Sequence, residues 1–149
     1  MPFFTLPVST GGPLLDAAVF VSTAREAALQ AAGNPVPQFV RVRALLDTGA
    51  SCSAVDQGVL DSLGLIPTGE AEILTPSTGR TPQKTFTYDV RVGIFAARPD
   101  DFHFISDTIQ VMVSDLFVGQ GIHMLIGRDI LARCILHYNG ADEIFTFAY

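Results

Sequence analysis

The chain is written in short apolar runs, each stopped by glycine, proline or a polar turn cluster. That rhythm rules out a helical bundle and any fold built on long helices. "LLDAAVFVS" (Leu14 to Ser22) is apolar and partly β-branched. "QFVRVRALL" (Gln38 to Leu46) begins with apolar/polar alternation and ends as a continuous apolar run. The pattern suits a strand that starts half-exposed and finishes buried on both faces. "AEILTPSTGRTPQKTFTYDVRVGIF" (Ala71 to Phe95) reads as a long hairpin. Strand character runs to Thr75, turn residues fill Pro76 to Pro82, and alternation resumes through Phe86, Tyr88, Val90 and Val92. Two more strands are expected between Phe102 and Val118. Asn139-Gly140 separates "CILHY" from "EIFTFAY", which predicts a tight hairpin turn. Many short strands with regular turn signals predict an all-β, closed or nearly closed barrel.

Helix signals are few and local. Thr23 with Glu26 forms a capping box ahead of good helix formers, and Gly33 and Pro35 supply the stop. Ser53 and Asp56 are candidate caps for a short helix ending at Gly64. "GRDILARC" (Gly127 to Cys134) follows the apolar run "MLI", so a strand feeds a glycine and then a short C-terminal helix.

Bulk properties narrow the function. At 149 residues the chain is long enough for one domain with a real core, and it shows no internal repeat or linker. Charged residues make up 16% against the usual quarter, and hydrophobic residues 48%. Mean hydropathy is +0.37. Either the core is unusually large or apolar surface is reserved for a partner subunit. The net charge of −6 and the lack of any Lys/Arg cluster exclude nucleic acid as a partner. Two cysteines, Cys52 and Cys134, make no disulfide framework and read as reduced thiols. No signal peptide or apolar span is evident, so no membrane is involved and the cytoplasm is the expected location. His103, His123 and His137 show no ligand spacing and read as surface or edge histidines. No metal or other cofactor is expected.

One stretch does not fit a plain barrel. "LLDTGAS" (Leu45 to Ser51) puts Asp47 directly after two apolar residues. A carboxylate leaving a buried strand must gain partners or reach a cleft. Asp-Thr-Gly is also good turn chemistry, with glycine able to take positive φ. Farther on, Leu125-Ile126-Gly127-Arg128-Asp129-Ile130-Leu131 provides a second apolar run that ends at a glycine.

The pair, D-T-G-A-S after two apolar residues and the later L-I-G-R-D-I-L, resembles the retropepsin family. These are retroviral-type aspartic proteases and their single-domain bacterial relatives. The resemblance spans about Leu14 to the C-terminus. It implies a closed retropepsin-like barrel carrying a flap hairpin. It also implies an aspartic endopeptidase that hydrolyses peptide bonds in a polypeptide substrate, with Asp47 catalytic. Thr48, Gly49, Ala50, Gly127 and Arg128 would support that aspartate, and Gly127 would lie beneath Asp47 and Gly49. Ser77, Thr78 and Gly79 would form the flap tip over the substrate.

The chemistry needs two aspartates, and no other aspartate of the chain has the D-T-G context. The resemblance therefore implies a homodimer in which each subunit supplies Asp47. Thr48 would hydrogen-bond across the axis, and the aromatic-rich ends "PFFTLPV" and "EIFTFAY" would interleave into a shared sheet. One departure stands out. Retroviral members often carry an aspartate four residues after the catalytic one, paired with the arginine of the second motif, and here that position is Ser51. Asp129 and Asp56 are the substitutes for Arg128 to pair with. The alternative reading is a catalytically silent barrel that serves as a protein-interaction module.

Overall fold

The computed structural model describes residues 1–74, 79, 81–95, 101–115 and 118–149. Eleven strands and three short helices follow one another in these residues. Six strands close on themselves. They are β2 (Leu14–Val21), β3 (Val40–Leu46), β4 (Ala54–Val55), β6 (Gln83–Phe95), β8 (Ile109–Val113) and β9 (Met124–Ile126). The ring runs β2-β3-β9-β4-β8-β6, and the pairing of β6 with β2 shuts it. The all-β barrel expected from the short-run rhythm is therefore present.

The barrel interior takes the apolar residues of each strand. Ala17, Val19, Val55, Val90, Val92, Val111, Met124 and Ile126 are fully buried. Each large aliphatic side chain removed from water contributes roughly 1.5–3 kcal/mol. Strand β2 lies between two neighbours, β3 and β6, and its Ala17 and Ala18 are fully buried.

A second sheet of three strands is made from the chain ends. Its order is β1 (Phe3–Pro7), β11 (Ile144–Ala148), β10 (Ile135–Asn139), all antiparallel. Phe145 and Phe147 of the middle strand are fully buried against the barrel. The ends therefore pair with each other within the chain.

Three local expectations shift. The first helix, α1 (Thr23–Ala31), is capped by Ser22, whose hydroxyl accepts from the Arg25 amide at 3.1 Å. Ser22, just after β2, is extended, so Thr23 is already helical and the capping box does not form. Glu26 is freed to pair with Arg91 of β6. The helix α2 (Gln57–Ser62) is capped by Asp56 and stops at Gly64, where φ is +62°. Ser53 takes no part in that cap. The β10–β11 connection is longer than a two-residue Asn-Gly turn. It uses Gly140 to Glu143, with the Asn139 side chain accepting from the amides of Ala141 and Asp142.

The expected hairpin is present as β5 (Gly69–Ile73) paired with the first part of β6. Of the expected flap tip, Gly79 sits in an exposed turn at φ +61°. Ser77 and Thr78 lie outside the described residues. A further strand, β7 (Phe102–Ile105), pairs with the far end of β6, and α3 (Arg128–Leu131) follows β9. His103 is no plain surface residue: it stacks on Phe4 and bonds the Tyr149 hydroxyl at 2.7 Å.

Candidate active site

Strand β9 lies between β3, to which it is parallel, and β4, to which it is antiparallel. The chain leaving β3 must therefore pass over the end of β9 to reach β4. Residues 47–53 make that passage, and they begin with Asp-Thr-Gly. The Asp47 amide still bonds back to the carbonyl of Ile126, at 2.9 Å, so the aspartate starts from a fixed point of the barrel. Its side chain then leaves the apolar run half-exposed. The Oδ1 atom accepts from the Gly49 amide at 2.8 Å, and the Ala50 amide closes the turn on the Asp47 carbonyl at 3.3 Å. Among the described residues, no other group donates to this carboxylate.

Gly49 is needed for space and not for a left-handed conformation. Its φ is not positive. A Cβ there would stand 3.1 Å from Asp47 Oδ1. The turn reading of Asp-Thr-Gly is right in outline, but the glycine's role differs from the one expected. Thr48 projects into solvent.

Gly127 is required by close backbone approach. A Cβ on it would lie 2.6 Å from both the carbonyl carbon and oxygen of Cys52, closer than real contacts allow. The backbone it touches is that of Cys52 and Ser53, farther along the loop than Asp47 and Gly49, where the approach was expected. Just beyond it, the Arg128 amide donates to the Ala50 carbonyl at 3.0 Å.

Arg128 finds partners without a carboxylate. Its Nη1 donates to the Thr48 carbonyl at 2.9 Å and reaches the Gly49 carbonyl at 3.5 Å. The guanidinium thus ties the second motif to the D-T-G turn through main chain. Neither Asp129 nor Asp56 substitutes for the aspartate that Ser51 replaces. Asp56 caps α2.

Asp129 does something that inspection of the residues missed. Its carboxylate accepts from the Ser53 amide at 2.8 Å, the Ser53 hydroxyl at 2.7 Å and the Ile130 amide at 2.9 Å. The Ser53 hydroxyl, fully buried, accepts in turn from the Gly127 amide at 3.0 Å. A buried hydroxyl without partners would be costly, so this network holds the far end of the loop against α3. The sequence signal was an aspartate directly after Gly-Arg and a serine immediately before β4, but no spacing rule joins them.

The passage over β9 is thus pinned at both ends, with one carboxylate left open to the outside. A sequence model of the family described as aspartyl protease matches residues 35–130, more than half of the chain and both halves of this site. The chain belongs to the aspartyl protease family. Among solved structures, a retropepsin-like aspartic protease from Rickettsia conorii aligns with TM-score 0.59 and 17% identity, covering 99% of this chain and 91% of that one. At that identity the likeness speaks for the fold, which is retropepsin-like. The foamy viral protease–reverse transcriptase in complex with an RNA/DNA hybrid aligns at TM-score 0.42 and 16% identity, over 81% of this chain and 12% of that one. That score carries no argument. No curated protein sequence matches the chain.

Within the described residues, no cluster of His, Cys, Asp or Glu could hold a metal ion. No described helix is long and apolar enough to cross a membrane. Cys52 and Cys134 are free thiols. Burial pushes the Cys134 thiol up from its ordinary pKa, against a smaller opposing pull from Arg133.

Proposed function

We propose that the 149 residues act as one retropepsin-like domain and that two copies form an aspartic endopeptidase, each supplying Asp47. The observation that carries this reading is the single D-T-G turn, whose carboxylate accepts one amide and otherwise faces outward from a rigid support. Two such carboxylates held close cannot both ionise, so the pair shares a proton. The ionised Asp47 takes a proton from a water molecule as its oxygen attacks the peptide carbonyl carbon. The protonated Asp47 of the partner subunit donates to the carbonyl oxygen. In the second step the Asp47 that gained the proton gives it to the amide nitrogen, the other takes a proton from a hydroxyl of the tetrahedral intermediate, and the C–N bond breaks, which leaves the dyad with one proton.

The supporting residues follow from the geometry. Gly49 keeps space beside Oδ1, and Ala50 and Arg128 hold the turn through backbone hydrogen bonds. Gly127 lets β9 approach the loop. Thr48, exposed at the turn, is assigned the bond across the axis. The β5–β6 hairpin is assigned the flap that closes over an extended polypeptide, with Ser77, Thr78 and Gly79 at its tip. Two free thiols suit a reducing compartment, the cytoplasm.

The test is incubation with a diverse peptide pool from acidic to neutral pH, beside Asp47→Asn. Cleavage by the native protein and none by the variant is expected. Specific activity should also fall on dilution as the dimer separates. Full activity in Asp47→Asn, or in a strict monomer, would overturn the reading.

A further inference from the structure

A cleft of about 500 Å³ lies between the terminal strand β1 and the barrel, and none of residues 47–53 lines it. Phe4 and Leu6 of β1 form one wall. Leu14 of β2 with Ile94 and Phe95 of β6 forms the apolar part of the other. His103 of β7 borders the cleft beside Phe4, on which its ring stacks at 4.9 Å. The size and the apolar walls are those of a small-molecule site, which needs in addition a few placed polar groups.

Two arginines supply them. Arg41 and Arg43 stand two apart on β3, so both leave the same face of the sheet, and both line the cleft. The Arg41 guanidinium lies over the Phe95 ring, 4.0 Å from its centroid, which keeps that charge at the apolar wall. Asp16 also lines the cleft, and its Oδ2 is 3.9 Å from Arg41 Nη2, an ion pair too long for a hydrogen bond. One carboxylate against two guanidiniums leaves positive charge in excess. Among the described residues Arg43 forms no ion pair, and neither guanidinium donates a hydrogen bond. Each is a fork of N–H donors shaped for a carboxylate.

The other polar side chains of the cleft already have partners. The Thr5 hydroxyl bonds the Thr146 hydroxyl at 2.8 Å, the Ser9 hydroxyl donates to the Gly12 carbonyl at 3.2 Å, and the His103 ring bonds the Tyr149 hydroxyl at 2.7 Å. A peptide strand is a poor occupant, because it is recognised by a row of backbone groups. The Val8 amide bonds the Glu143 carbonyl and the Tyr149 amide bonds the Pro2 carbonyl, so the even-numbered residues of β1 turn their backbone groups to β11. Pro7 has no N–H. Of the β1 residues that line the cleft, Thr5 alone keeps an outward amide. Recognition therefore falls to apolar side chains and to the arginines.

We propose that this cleft binds a free acyl carboxylate, with its chain between β1 and β6 and its head on Arg41 and Arg43. The chain leaves water against Phe4, Leu6, Leu14 and Ile94. The two head oxygens accept from the guanidinium forks, a charge-assisted and directional contact. The excess positive charge selects an anionic amphiphile over a neutral one. The site uses no residue of the proposed dyad, so the two readings stand or fall separately.

Titration of the full chain with dodecanoate, below its micelle concentration, tests the site. Calorimetry should show one molecule bound per chain. Butyrate, with the same head and little tail, and dodecanol, with the tail and no charge, should each bind at least tenfold more weakly. Arg43→Gln should raise the Kd for dodecanoate at least tenfold. Arg25→Gln, the same change on α1 outside the cleft, should leave it within twofold. Circular dichroism checks that both variants are folded. Nuclear magnetic resonance reads the placement: the methyl signals of Leu6, Leu14 and Ile94 should shift on titration, and those of Val55 and Ile126 should stay. Unmoved cleft methyls, a Kd unchanged in Arg43→Gln, or an equal loss in Arg25→Gln would overturn the proposal. So would dodecanol binding as tightly as dodecanoate, because the arginines would then select nothing.

Discussion

Asp47 and Asp129 sit at opposite ends of the same loop support and meet opposite fates. Asp129 accepts three hydrogen bonds, two of them from the backbone amide and the buried hydroxyl of Ser53. Asp47 accepts one, from Gly49, and is otherwise open. A saturated carboxylate spends its acceptor capacity on the fold. An unsaturated one, held by a rigid turn, keeps capacity for water or substrate. The difference separates an aspartate spent on positioning the loop from one that keeps the capacity the proposed reaction needs.

That contrast can be broken most directly at Asp47. Asp47→Asn should lower peptide cleavage by at least about 10²–10⁴-fold, the usual weight of a general acid–base group. Its thermal midpoint should stay close to that of the native protein, because the amide oxygen can still accept from Gly49. Asp129→Ala should do the reverse in kind. Removing the acceptor of a buried hydroxyl and two amides should cost roughly 2–4 kcal/mol, read as a lower urea midpoint at fixed protein concentration. Equal stability losses in the two variants would erase the distinction.

Gly127→Ala sharpens the comparison from the main-chain side. Its Cβ would meet the Cys52 carbonyl at 2.6 Å, so β9 and the loop must move apart at a cost of about 1–3 kcal/mol. Gly49→Ala, at 3.1 Å from Asp47 Oδ1, should be milder in stability and should depress cleavage. The smallest effect is expected at Arg128. Arg128→Ala removes an exposed bond to the Thr48 carbonyl, worth about 1 kcal/mol at most, and should reduce activity modestly by loosening the turn. An unfolded Arg128→Ala would show that the guanidinium bears more of the structure than one exposed bond can.

Much of the site was legible because its demands are local. Apolar residues running into Asp-Thr-Gly, and Leu-Ile-Gly after a second apolar run, describe a carboxylate at a strand end and a glycine where backbones meet. The partners of those residues were not legible. Gly127 touches Cys52, Arg128 holds a carbonyl, and Asp129 anchors Ser53, because β9 inserts between β3 and β4. That insertion brings together residues more than seventy positions apart. Hydrophobic period can mark a strand but does not say which strand lies beside it.

The chain ends show the same division. Their aromatic, β-prone composition already required pairing, since such strands left bare would aggregate. Composition could not say whether the partner was another chain or the same one. Within the one chain, the tertiary structure pairs them with each other. Fully burying Phe145 and Phe147 takes β1 and β10 on either side of β11, and both are within reach once the barrel has closed. What the residues alone determined is the short-stranded barrel and the aspartate at its mouth, because strand period, turn chemistry and the cost of burying charge act over a few residues. Which carboxylate is spent on the fold depended on long-range register, which only the closed sheet defines.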